Sequence, residues 1–188
     1  LLGLISSTRS NLTTKDSKMR MRPEYFTRFA LVETLLTALG YTQLYPESDI
    51  FGDEKPKDYV TLVSHGIIKN IPVIIEVEPL GSNMFSPKDG VPQVKDYMMA
   101  YDDLSIGVAT DGLRWFLVSR DTKKKKEQFQ VRMVDLRPLF VTAYHAINYR
   151  GYKHECPIAL LEDLMKYFGS KNIAAAELQM RRDPLSAA

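Results

Sequence analysis

The chain has 188 residues, 45% of them hydrophobic and 26% charged, which is too apolar for a disordered chain and typical of one soluble domain. With 25 Lys and Arg against 23 Asp and Glu the formal charge is +2, so bulk charge makes no case for a nucleic-acid partner and only local clusters can. A single cysteine, Cys156, excludes an internal disulfide framework and a Cys-based zinc site and fits a cytoplasmic location, while the longest apolar stretches, 1–5 and 71–77, fall far short of the roughly 20 residues that cross a bilayer.

Residues 6–22 carry Ser, Thr, Asn, Lys and Arg without a hydrophobic period, so 1–22 reads as an irregular arm. Arg9, Lys15, Lys18, Arg20, Arg22 and Arg28 face only Asp16 and Glu24 over this stretch, a local basic cluster that suits DNA phosphates or a solvated tail. Pro23 is placed to open a helix, because Phe26, Phe29, Val32, Leu36 and Leu39 recur at three- and four-residue steps until Gly40 ends the run. Residues 46–57 read as a polar loop. Residues 59–64 and 71–78 are rich in β-formers and predict a hairpin turning over 65–70.

Pro79, Gly81, Pro87, Gly90 and Pro92 mark a loop over 79–92, and 93–104 has the composition of a helix. Strands over 106–109 and 113–118 flank Thr110-Asp111-Gly112, where Asp-Gly supplies the positive φ of a tight hairpin turn. Four lysines at 123–126 form a predicted tip before a strand over 128–134. Pro138 opens a helix through 147, and Pro157 another with Ile158, Leu161, Leu164 and Phe168 on one side and Gly169 at its end. Beyond Asn172 the chain is Ala-rich and weakly specified. The order predicts one unit: arm 1–22, core 23–135, and C-terminal helices 136–188 on the same domain.

Within 71–78, side chains two apart share a face, so Glu76 and Glu78 stand together with Ile74 while Val73, Ile75 and Val77 face the core. Two neighbouring carboxylates raise each other's pKa unless a cation or water relieves them. Asp58, on the other strand of the hairpin, is a third oxygen donor, and such hard ligands suit Mg²⁺ or Mn²⁺. Spacing alone leaves open a plain solvated strand face. An otherwise apolar strand, however, makes two acids in it costly.

Pro56-Lys57-Asp58-Tyr59-Val60, then Val73-Ile74-Ile75-Glu76-Val77-Glu78, then Gln93-x-x-x-Tyr97, then Val108-Ala109-Thr110-Asp111-Gly112 and Trp115 follow one another in an order that resembles the PD-(D/E)XK nuclease domain of type I restriction enzyme R subunits. The likeness extends back to Glu24, Arg28 and Leu39-Gly40-Tyr41. It implies an α/β fold of restriction-endonuclease-like architecture, a mixed central β-sheet flanked by helices, and Mg²⁺-dependent (or Mn²⁺-dependent) DNA endonuclease activity. By position it implies Asp58, Glu76 and Glu78 as catalytic residues, Asp58 and Glu76 as metal ligands with Glu24 as an auxiliary acid, and Gln93, Tyr97, Arg28, Arg20 and Arg22 as DNA-binding residues. DNA and a larger restriction complex or a homo-oligomer are the implied partners.

Glu78 departs from the pattern, which has a lysine there. Either this glutamate is a general base for the attacking water, as glutamate can be in active members of the superfamily, or the site has decayed into a module that binds DNA or a partner protein. Lys57, next to Asp58 on a strand, is expected to point to the opposite face. His65, His145 and His154 are too dispersed for a metal motif, Trp115 reads as core or interface, Tyr97 and Tyr101 as a packed helix face, and no glycine loop for a nucleotide cofactor is present.

Overall fold

Fully apolar Val73-Ile74-Ile75 at the middle of the chain's longest strand sets the architecture, since both faces of that strand must be covered. The computed structural model describes residues 23–48, 57–121, 128–149, 151 and 157–182. Arg9, Lys15, Lys18, Arg20, Arg22, the lysines at 123–126, His154 and Cys156 lie outside the described residues. Six strands form one sheet in sequence order: β1 (Tyr45–Ser48), β2 (Lys57–His65), β3 (Ile68–Val77), β4 (Ile106–Thr110), β5 (Arg114–Arg120) and β6 (Phe129–Asp135). All neighbours are antiparallel except β3 and β4, which are parallel because helix α2 (Gly90–Ala100) crosses between them.

One face of the sheet packs against the first helix, α1 (23–38), α4 (Ile158–Phe168) and α5 (Ile173–Arg182). Val73, Ile75 and Val77 there meet Val32, Leu36, Leu164, Phe168, Ile173 and Met180. The other face packs against α2, with Ile74 and Val60 beside Val94 and Met98. Each fully buried aliphatic side chain of β3 contributes about 1.5–3 kcal/mol. This is the mixed sheet flanked by helices expected from the sequence, consistent with a restriction-endonuclease-like fold. Helix α3 (Arg137–Asn148) buries no residue completely.

Helix α1 is not uniform: an α-helical turn, Pro23–Phe26, runs into a π-helical stretch, Thr27–Val32, before α geometry resumes over Glu33–Ala38. Thr27 Oγ1 accepts the Leu80 N–H at 2.9 Å, which ties this stretch to the chain leaving β3. The predicted Asp-Gly turn is present, with Gly112 at φ 86° and Asp111 Oδ1 accepting the N–H groups of Leu113 and Arg114. Asp111 Oδ2 also accepts the Gly81 N–H, so the turn holds the same exit from β3. Trp115 is buried, with its ring edge against Phe168.

Four expectations need correction. Residues 45–48 form an edge strand that takes up the start of the 46–57 segment read as a loop, because pairing with β2 (Tyr45↔Val60, Ser48↔Lys57) outweighs the composition, and an edge tolerates Pro46. The hairpin turn is shorter than 65–70, the strands reaching His65 and Ile68. Helix α2 begins at Gly90 and ends at Ala100, ahead of the predicted 93–104; proline is tolerated in a first helical turn, and buried Arg120 caps the last carbonyls by donating to Met98 and Tyr101. The Ala-rich tail is a helix whose Ile173, Ala174, Ala176 and Met180 bury against the sheet.

Close approach of α2 to the sheet depends on Gly107 of β4, where a Cβ would stand 2.3 Å from Val94 Cγ1. Gly107→Ala is expected to cost about 1–3 kcal/mol in urea unfolding, and a Val94→Ala background should remove most of that cost.

Candidate active site

Beyond an irregularity between Val63 and His65, regular pairing of β2 with β3 runs from Val63↔Ile71 to Tyr59↔Ile75. One residue further, a side chain takes over from the ladder, as Asp58 Oδ2 accepts the Val77 N–H at 2.7 Å. Asp58 and its neighbour Lys57 border one cavity, and the expectation that Lys57 faces the opposite way is corrected. Lys57 is still paired with Ser48 of β1, but the register with β3 ends at Tyr59↔Ile75, and the Lys57 ammonium lies over the Tyr97 ring of α2.

The cavity measures about 410 Å³ and is bordered by Glu24, Tyr25 and Arg28 of α1, Lys57 and Asp58 of β2, Glu76, Val77 and Glu78 at the end of β3, and Asp89 and Gln93 at the start of α2. Sequence reasoning thus placed Glu24, Arg28, Asp58, Glu76, Glu78 and Gln93 within one site. It missed Tyr25, Lys57 and Asp89. Asp89 was recoverable as the residue preceding a helix, and Tyr25 as a helical neighbour of Arg28; Lys57 was not, because strand alternation puts it opposite Asp58 and the ring that seats it comes from α2. Arg20 and Arg22 lie outside the described residues.

Glu76 is 4% exposed, and its Oε2 accepts a hydrogen bond from Gln93 Nε2 at 3.2 Å. The same Gln93 nitrogen donates to the Tyr97 hydroxyl at 3.0 Å, so the Gln-x-x-x-Tyr spacing places one helix face as a bracket behind the carboxylate. Tyr97 itself is buried. Glu76 Oε1 has no hydrogen-bond partner. Burial, followed by the charge of Asp58, pushes the Glu76 pKa well up, against the opposing pull of the Asp58 backbone amide and the Lys57 ammonium.

Glu78 is half-buried, and its Oε1 accepts the Gly90 N–H at 2.7 Å. That bond requires glycine, since residue 90 has φ 58° and a Cβ there would meet Met84 O at 2.7 Å. Burial also raises the Glu78 pKa, with Asp89, Glu24 and Asp58 adding to the shift. Arg28, 3% exposed, donates from Nε to the Tyr59 hydroxyl at 2.9 Å, and that hydroxyl donates to Glu33 Oε1 at 2.6 Å. Its Nη1 stands 3.6 Å from Asp58 Oδ1.

Among the described residues, no group of three or more His, Cys, Asp or Glu side chains is gathered closely enough to form a ready-made metal centre. The carboxylates share the cavity without forming a cage, because Asp58, Glu76 and Glu78 are each drawn to a different hydrogen-bond donor. Oxygen donors and an orphaned, buried Glu76 Oε1 nevertheless fit Mg²⁺ or Mn²⁺. Such ions ordinarily take one or two protein carboxylates and complete their shell with water and phosphate. His65 and His145 stand outside the cavity, and no helix among the described residues is long and apolar enough to cross a membrane.

This chain is similar to a Methanocaldococcus jannaschii protein named "Putative type II restriction enzyme and methyltransferase", with 31% identity over 140 residues, which is 73% of this chain and 11% of that protein. The chain thus spans about 11% of the length of the relative it matches. No protein-family model matches it. No solved structure matches it.

Since burial and Asp58 disfavour the Glu76 carboxylate, ionisation of Glu76 weakens the fold at neutral pH. The penalty is complete above the raised native pKa and disappears as pH falls through it toward the ordinary value of 4.5. In chelator, Glu76→Gln should therefore raise Tm at pH 7.5, by about 2–4 °C for each kcal/mol of penalty removed. The advantage over the natural protein should shrink toward zero as the pH approaches 4.5. Calorimetry across this range checks both parts.

Proposed function

We propose that this chain is a divalent-metal-dependent DNA endonuclease domain of the PD-(D/E)XK kind, acting in restriction. The observation that carries the reading is the buried Glu76 carboxylate, with an orphaned oxygen in a cavity shared with Asp58 and Glu78. The order of motifs, resembling type I R-subunit nucleases, and the similarity to a protein named as a restriction enzyme support it.

In this mechanism Asp58 and Glu76 would hold Mg²⁺ or Mn²⁺, and Glu24 of α1 lines the same cavity as an auxiliary acid. The bound ion supplies Lewis acidity toward the scissile phosphate and a more acidic water. Gln93 fixes the rotamer of Glu76, and the Val77 amide fixes that of Asp58, so neither ligand has to be ordered when the ion arrives. Glu78, aimed by the Gly90 amide, accepts a proton from the attacking water. The water oxygen forms the new P–O bond as the ester P–O bond breaks, and the departing oxygen takes a proton from solvent. Arg28 stands at the same wall and is suited to hold a non-bridging phosphate oxygen.

A second reading, a nuclease-fold module that binds DNA without cutting it, draws on Glu78 occupying the lysine position. Plasmid nicking in Mn²⁺ separates the two. Natural protein should cut, Asp58→Asn and Glu76→Gln should each lose at least about 100-fold in rate, and DNA binding weakened steeply by salt without cutting would favour the second. Millimolar Mn²⁺ should raise the Tm of the natural protein and leave that of Asp58→Asn unmoved.

A further inference from the structure

Glu24, Asp58, Glu76, Glu78 and Asp89 bring five carboxyl groups to this cavity against two basic side chains, Arg28 and Lys57. Arg28 is anchored on the Tyr59 hydroxyl and turned toward Asp58. Lys57 is placed differently. It is 0% exposed, and its ammonium lies 4.8 Å from the centre of the Tyr97 ring and 5.4 Å from that of Tyr101, both presented by the α2 side of the sheet. Ring faces substitute in part for lost hydration. They do not account for a charge at this depth, since a methionine of similar length would fill the space without desolvation.

The reason lies beside it. Glu76 borders the same cavity, buried and with one oxygen lacking a donor, and the Lys57 charge favours its ionised form. Tyr97, one of the two tyrosines that border Lys57, is also part of the Glu76 bracket, because its hydroxyl accepts from the Gln93 nitrogen that holds Glu76. Lys57, Tyr97, Gln93 and Glu76 therefore form a continuous array.

We propose that Lys57 is the charge-positioning residue of this site: an ammonium seated on the faces of Tyr97 and Tyr101, paired electrostatically with Glu76, that offsets part of the negative charge of the cavity floor as charge develops on a phosphate held there. Its pairing with Glu76 stands independently of the chemistry, and its action on phosphate rests on the hydrolytic reading above. A floor carrying only acids would repel a phosphodiester, and an embedded cation acts through low-dielectric surroundings without touching the substrate.

Two measurements test this. In chelator and without DNA, Tm is compared for the natural protein, Lys57→Met, Glu76→Gln and the double variant. Lys57→Met should lower Tm in the natural background, and at least half of that loss should vanish beside Glu76→Gln. Equal losses in both backgrounds would make Lys57 a packing residue and overturn the proposal. If Lys57→Met does not fold, Lys57→Gln replaces it in the same cycle. In Mn²⁺ with plasmid, Lys57→Met should lower kcat about 100-fold with KM nearly unchanged, and Lys57→Arg should stay within about tenfold of the natural rate. A natural kcat in Lys57→Met would refute the action on phosphate. A natural protein that cuts nothing removes the hydrolytic reading, while the thermal cycle still decides the pairing.

Discussion

A carboxylate at the end of a strand buried on both faces is the constraint around which the rest of this molecule is arranged. Val73, Ile74 and Ile75 commit β3 to two apolar layers, and Glu76 follows them directly into the same environment. An ionised group in such a place needs partners on every side that water has left. Each element near it supplies one: α2 the Gln93 amide, β2 the Lys57 ammonium, and the Asp58 backbone an amide. One oxygen is still left over. A site that opposes its own fold in this way is the usual mark of residues kept for chemistry.

The surrounding scaffold keeps this strained end from relaxing. Chain leaving β3 is held at Leu80 by Thr27 and at Gly81 by Asp111, while Glu78 is held by Gly90 at the entrance to α2. These ties join the first helix, the β4–β5 turn and α2 to a span of four residues, 78–81. Movement of the Asp58 or the Glu78 carboxylate out of the cavity would break a hydrogen bond from a backbone amide, which is costly where no water replaces it.

Negative charge is concentrated here to a degree that the overall balance of the chain conceals. A net +2 describes a nearly neutral molecule, yet the cavity itself gathers five acids with two bases. Phosphate can approach such a cavity only if cations from the protein or from solution turn its potential positive. Glu78 in place of a lysine makes that requirement sharper than in the pattern the sequence resembles, and it makes the position of each remaining base matter more.

Local pattern was enough for much of the architecture. The period of Val32, Leu36 and Leu39, the apolar run of β3, the Asp-Gly turn and the Gln93–Tyr97 spacing are all short-range signals, and they specified the first helix, the central hairpin, β4–β5 and the facing of Glu76. Strand β1 and helix α5 were illegible because neither has a strong pattern of its own: Tyr45–Ser48 is a strand by virtue of pairing with β2, and Ile173–Arg182 is ordered by the sheet its small side chains cover. The acids were likewise visible as a spacing, Glu76 and Glu78 on one face and Asp58 across the hairpin. What only the tertiary structure decided is where Lys57 goes. It is still paired with β1 where the register of β2 with β3 has ended, and the ring that seats its ammonium, Tyr97, comes from α2, so alternation counted along β2 alone does not contain its place in the acidic cavity.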